Sequence, residues 1–353
     1  MMTKAEVDLY PETLLRQFVQ DYLVRLGEGW QEAQICADGI LYGAMHAHPG
    51  QGQGMGKLFR HTKQIQNGGI QVQARMEFLS DRPATALLDA HKGAGYEAGR
   101  LAMQTAMQKA TSVWIGCVLV RHSNHYGTSG YYARMAALEG MIGIAFTNAG
   151  PEMAPWGAKT PVLGTNPWGI GLPRRSAFPI ILDMALTMSG QGMIRWAYRE
   201  GREIPISWAM TRDGQRTTNP AEVLDGIQLP IGEFKGSGLS FMTDAIAGVL
   251  SGAKFGMDCY NDLQDLDVGH CLMAFDPQAF MPLAEFEERL AELVHQVKGA
   301  APIQPGSEIL LPGELEYRRA MEAHMHGIPL DRETAAGLIE MAEEIGCLHP
   351  FKS

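Results

Sequence analysis

This sequence of 353 residues lacks most of the devices that mark common protein classes. No apolar run approaches the ~18 residues needed to span a bilayer, so no membrane helix is expected. The start, MMTKAEVDLYPETLL, is polar and acidic and has no apolar core of a secretory leader. Cysteine is sparse, with five scattered residues and no CxxC, which excludes a disulfide framework and points to reduced thiols of a cytoplasmic protein. Basic charge is in deficit: 29 Lys and Arg stand against 39 Asp and Glu, a net charge of −10. That balance argues against general affinity for nucleic acid or an anionic membrane. Three glycine-dependent or metal-dependent motifs are also missing. The run GQGQGMG at 50–56 never forms G-x-G-x-x-G, Gly56–Lys57 lacks the glycine of a phosphate loop five positions earlier, and there is no H-E-x-x-H.

What remains is an ordinary globular composition, 46% hydrophobic and 19% charged, long enough for two domains. Helical spacing of apolar residues predicts helices over 11–27, 30–42, 97–111, 129–139, 239–250, 286–297 and 331–345. Apolar runs predict strands over 113–120, 141–147 and 179–183, and the Pro/Gly-rich stretch 298–313 reads as a surface connection. Helical sequence lies at both ends and strands lie in the middle. This suggests a helical domain made of both termini, interrupted by a sheet domain.

Chemistry concentrates in residues 123–173, where SNHYG, FTNAGPEMAPWGAK and PVLGTNPWGIGLP combine polar groups with Gly127, Gly130, Gly143, Gly150, Gly157, Gly164, Gly169 and Gly171. Such loops between apolar strands suit a small-molecule site, with the glycines turning tightly or lying close to a bound molecule. His125, flanked by Asn, Tyr and Gly, is a candidate acid, base or carbonyl-orienting donor. His46 and His48 precede the glycine loop, while His122 reads as a structural histidine. Asp183 ends the strand PIILD, as a turn cap or as a group aimed into a cleft. Lys57 and Arg60 could hold an anion, or belong to a solvated helix face. Lys235 in FKGSG precedes a helix start, where an anion such as phosphate is favoured. Asp262, Asp265, Asp267 and His270 cluster but lack the glycine of a calcium loop, so they read as a solvated acidic loop and no metal site is assigned.

The motifs SNHYG, TN, PWGAK, LGTNP, ILDMA and FKGSGLS, in this order, resemble the malate/L-lactate dehydrogenase family of the second type. The family also holds ureidoglycolate, sulfolactate, diketogulonate and cyclic-imine oxidoreductases. The resemblance runs over about 11–330 and is strongest over 120–252. It implies an α+β fold without a Rossmann domain, in which a mostly antiparallel cofactor domain is inserted into a helical substrate domain. Here these would be residues 73–265 and residues 1–72 plus 266–353. It implies NAD or NADP as cofactor, a small 2-oxo or 2-hydroxy acid or cyclic imine as substrate, and a homodimer. By motif, His125, Thr165, Asn166, the stretch Pro179, Ile180, Ile181, Leu182, Asp183, Met184 and Ala185, then Phe234, Lys235, Gly313 and Glu314 would contact the cofactor. Asp183 and His125 would stand near the reacting centre.

One departure matters. The family's proton-carrying histidine stands in a short SHG motif followed by a carboxylate-binding arginine. Here the region reads YGAMHAHPGQGQGMGKLFRH and is longer. Counting back from NGGI puts Gln53 at the histidine position and Lys57 at the arginine position, whereas counting forward from Gly43 points to His46 or His48. An amide cannot carry a proton at neutral pH. The expectation is therefore that His48 supplies it, with His46 or His125 as alternatives, and that Lys57 or Arg60 anchors the substrate beside His46 and Gln53. If the loop has removed the proton carrier, the chain would instead bind a nicotinamide cofactor without turnover, as a sensor.

Overall fold

The computed structural model describes residues 7–47, 54–174, 177–260, 262 and 264–351. His48 and Gln53 lie outside them. In chain order the elements are β1 (Val7–Tyr10), α1 (Glu12–Arg25), α2 (Trp30–His46), α3 (Lys57–Gln66), β2 (Glu77–Asp81), β3 (Thr85–Asp89), α4 (Gly95–Val113), β4 (Ile115–Ser123), α5 (Ser129–Leu138) and β5 (Ile142–Thr147). Then come β6 (Trp168–Leu172), β7 (Ile180–Met184), α6 (Gln191–Arg199), β8 (Ala209–Met210), β9 (Ile227–Gln228) and α7 (Phe234–Thr243), which runs into a π-helical segment, Asp244–Leu250. The chain closes with β10 (Val268–Phe275), α8 (Leu283–Lys298), α9 (Glu314–His326), β11 (Ile328–Asp331) and α10 (Arg332–Glu344).

The fold is α+β. A seven-stranded sheet has the order β2-β3-β4-β10-β5-β6-β7, and all its pairings are antiparallel except β3 with β4. The two chain ends meet in a separate apolar cluster, where Leu15, Phe18, Tyr22, Ile40, Leu41 and Leu58 pack with Ala323, Leu338 and Phe351. β1 pairs antiparallel with β11 to tie them together. A domain boundary at 265/266 would cut the sheet, because β10 is its central strand, paired to β4 on one side and β5 on the other. Its sequence, VGHCLMAF, is covered on both faces and, His270 apart, apolar on both, but it lacks the alternation that would mark a strand from sequence. α8 likewise packs on the sheet side, with Leu290 against Ile180 and Leu311. Among the described residues, no helix is long and apolar enough to cross a membrane.

Several glycines that suggested a ligand site serve helix packing instead. α4 turns a stripe of Ala98, Ala102, Ala106 and Ala110 to the sheet, all fully buried. A Cβ on Gly116 would sit 2.0 Å from the Ala106 carbonyl oxygen. α5 lies equally close to its strands: a Cβ on Gly143 or Gly171 would come within 2.5 or 2.4 Å of the Ala133 oxygen, and one on Gly169 within 2.4 Å of Ser129 backbone. Small residues on both sides bring α5 against the sheet and thereby set the loop that leads into it, residues 125–128, at the sheet's end. Gly116→Ala is expected to destabilise the protein by about 1–3 kcal/mol or more, since backbone on both sides must move. A urea midpoint unchanged from wild type would contradict this packing.

Candidate active site

A cleft of about 970 Å³ opens where α2 and α3 of the helical unit face the loop before α5, the end of β5 and the length of β7. Its walls include Tyr42 and His46 at the end of α2, Lys57 and Arg60 on α3, His125 to Ser129, and Pro179 with Ile181 to Ala185. Arg134, Thr165, Arg195, Tyr260, Gly313 and Glu316 also line it.

Asp183 lies on the edge strand β7 with its carboxyl open to the cleft and protein close around it. Burial in the surrounding protein pushes its pKa up to about 7; the backbone N–H of Gly130 opposes the rise and the Glu316 charge adds to it. Gly130 is needed there, since a Cβ would come 2.9 Å from Oδ2. His125 accepts the Gly127 backbone N–H at Nδ1 (3.1 Å), which leaves the ring proton on Nε2. Burial, then the Lys57 and Arg60 charges, hold its pKa well below the usual histidine value, so it is a neutral donor. His46 has the opposite tautomer. Its Nδ1 donates to the Tyr42 carbonyl oxygen (2.9 Å) and its ring stacks on Tyr42 at 3.9 Å. Burial lowers its pKa to about 4, with the Tyr42 carbonyl opposing and Arg134 adding to the fall.

Lys57 and Arg60 are three residues apart on α3 and therefore share a face. Burial, then Arg60, brings Lys57 down to about 8. The Arg60 guanidinium lies 4.6 Å from the centroid of the Tyr260 ring, a cation–π contact that keeps it extended over the cleft. No carboxylate among the described residues pairs with Lys57, Arg134 or Arg195. The cleft thus holds cations ready for an anionic ligand.

The structure brings together His46, Lys57, Arg60, His125, Thr165, Pro179, Ile181, Leu182, Asp183, Met184, Ala185 and Gly313. It does not bring the other described candidates to the cleft. Ile180 points into the apolar cluster with Leu290. Asn166 is fully buried as a bracket: its Oδ1 accepts the Ala149 N–H (2.8 Å) and its Nδ2 reaches Ser240 and Asp244. Glu314 accepts the Leu311 N–H and is paired to Lys298 and Arg318, which makes it a clamp on α9. Phe234 is 63% exposed, and Lys235 follows it at the first turn of α7, outside the cleft walls. FKGSG is itself helix rather than the loop before one. His270 bridges Thr147 and Ser123 hydroxyls, fully buried, while Asp265 pairs with Lys254 and Lys92. These acidic-loop residues face different partners. Tyr42, Arg134, Arg195, Tyr260 and Glu316 are cleft residues that sequence reasoning missed, because each sits within an unremarkable helix or loop.

A sequence profile described as malate/L-lactate dehydrogenase matches residues 11–339. The chain is 35% identical to a malate dehydrogenase of Pyrococcus horikoshii over 346 residues, covering 95% of each. It is 34% identical to an L-sulfolactate dehydrogenase of Methanocaldococcus jannaschii over 334 residues, covering 94% of this chain and 95% of the other. The crystal structure of malate dehydrogenase from Entamoeba histolytica superposes with a TM-score of 0.93 at 26% identity, covering 98% of this chain and all of that one.

Proposed function

The chain belongs to the malate/L-lactate dehydrogenase family, a nicotinamide-dependent oxidoreductase of hydroxy and oxo acids or cyclic imines, and on that premise we propose that it reduces and oxidises C2 of a small acid carrying a second anionic group, of the malate or sulfolactate kind. The observation that carries this reading is the pair Lys57 and Arg60 on one face of α3, two cations at one cleft wall, with no carboxylate among the described residues in ion-pair contact with Lys57. A monoacid needs one of them; a dicarboxylate or sulfonated acid uses both.

The cleft suits a dinucleotide, NAD or NADP. Its volume of about 970 Å³ is ample, and Thr128 Oγ1 in its wall is buried without a partner. Gly313, at φ +78°, allows the turn to lie against β7, where a Cβ would meet the Ile181 oxygen at 2.5 Å. Thr165 and the β7 residues would hold the nicotinamide half. Arg195 and the open N–H groups at the start of α6 would hold phosphate. When bound, the cofactor gives or takes the hydride at the substrate carbon. His125 would donate its Nε2 proton in a hydrogen bond to the substrate oxygen, and Asp183 would hold the proton that this oxygen gains or loses. His48 is the alternative carrier, favoured by its position two residues after His46, which opens on this cleft. A homodimer belongs to the same proposal: α7 and the π segment expose Phe241, Met242, Val249 and Leu250, an apolar face suited to a second copy. A cytoplasmic location is proposed with it, in keeping with five free thiols.

The substrate reading is tested by kcat/KM for oxaloacetate and sulfopyruvate against pyruvate and the cyclic imines. The diacids are expected to be favoured by roughly 10–100-fold, the worth of one charge-assisted contact. Equal values for pyruvate would sink the two-anion reading.

A further inference from the structure

We propose that Glu28, Cys36 and His61 form a binding site for a divalent transition cation of the zinc class, buried in the helical unit and separate from the cleft. Glu28 stands in the turn after α1, Cys36 on α2 and His61 on α3, so three elements converge. Their ligand atoms, a carboxylate oxygen, the thiol sulfur and a ring nitrogen, all lie within 4.8 Å of one another. The residues are 3%, 0% and 3% exposed. His61 Nε2 is 2.5 Å from Glu28 Oε1, and Cys36 Sγ is 3.9 Å from the same oxygen.

The second observation is polar atoms without partners. Glu28 Oε2 is buried with no hydrogen bond, as is Oε1 of Glu32, which sits one turn before Cys36 on the same face of α2. Leaving a buried carboxylate oxygen unsatisfied is costly. A metal ion that replaces the proton between His61 and Glu28 Oε1 and is held by both Glu28 oxygens would satisfy Oε2. Charge also balances: one thiolate and one carboxylate neutralise a dication, with the imidazole neutral. Mixed N, S and O donors suit Zn²⁺ or Co²⁺ rather than Mg²⁺ or Ca²⁺, which take oxygen. An ion there would pin α3, the helix that also carries Lys57 and Arg60.

The full-length protein, stripped with a chelator, would be titrated with Co²⁺. The expected result is a thiolate-to-cobalt charge-transfer band that saturates at one ion per chain and is displaced by Zn²⁺. Cys36→Ser should lose the band, His61→Gln should weaken binding at least ~10-fold, and Cys259→Ser should keep both. Circular dichroism checks that each variant is folded. If Cys36→Ser does not fold, wild type and His61→Gln decide the question by themselves. Folded wild type without the band, or a band that survives Cys36→Ser or is unweakened in His61→Gln, overturns the proposal.

Discussion

Asp183→Asn is expected to lower turnover by roughly 10²–10⁴-fold while leaving cofactor binding in place, the range lost when a positioned acid or base is removed. The prediction rests on a carboxyl that opens on the cleft, is held by the Gly130 N–H, and titrates at about 7 rather than in the usual carboxylate range. Its sign differs with direction. Reduction needs the protonated acid, so its rate should be level below about pH 7 and fall above it. Oxidation needs the carboxylate and should rise through the same pH. Both limbs should vanish in the Asn variant. Stability follows by linkage: the folded-state pKa lies above the ordinary value, so ionisation opposes folding. That cost is absent below the unfolded pKa, grows as pH rises, and is complete above about 7, moderated by cleft water. Asp183→Asn should therefore gain stability relative to wild type at high pH and not at low pH. If the residual activity of Asp183→Asn exceeds a tenth of wild type, or the pH limbs persist, Asp183 is not the proton carrier and His48→Ala becomes the decisive variant.

The second large effect concerns α3. Lys57→Ala should reduce kcat/KM for an oxo diacid by on the order of 10–100-fold, through lost contact with the substrate's anionic groups. Lys57→Arg should retain much of the activity, since it keeps the charge and adds a fork suited to carboxylate. Arg60→Ala should cost most for diacids and little for pyruvate. Losing Arg60 should also raise the Lys57 pKa from about 8, because the neighbouring charge helps to lower it. Chemical-modification rates of Lys57 as a function of pH would read that shift. Equal losses for mono- and diacids in Arg60→Ala would mean that Arg60 does not face the second anion.

Helices α1, α2, α4, α5, α8 and α10 and strands β4, β5 and β7 were legible because their apolar spacing is strong, as in α1 and α8, whereas α3, α6, α9 and β1 to β3 are too short or too polar to show it. The alanine stripe of α4 was visible as a helix, but its meaning was not. Only contact geometry shows that Gly143, Gly169 and Gly171, like Gly116, are there to admit a helix, whereas for those three the sequence equally suited close approach of a ligand. β10 escaped because a strand covered on both faces has no alternation to read. FKGSG misled for a related reason: two glycines suggested a loop, yet the segment is held in α7 by the packing of Gly236 against Ile231. At the site, His125, Asp183, Lys57 and Arg60 come from three segments spread over more than 120 residues and were picked out by residue type and motif. Arg134 and Tyr42 carry no motif and become visible only when α5 and α2 close on β7. The cluster of Glu28, Cys36 and His61 was equally hidden, since its members are spread over three elements with no metal-ligand spacing.

The most direct measurement is loss of reduced-nicotinamide absorbance by the purified full-length protein, with NADH and NADPH tried separately. The acceptors are oxaloacetate, sulfopyruvate, pyruvate, diketogulonate and the two cyclic imines. Catalytic oxidation of at least one reduced cofactor is expected, fastest with oxaloacetate or sulfopyruvate. Cofactor binding seen by fluorescence, with no turnover on any of these compounds, would contradict it and leave a nicotinamide-binding sensor in its place.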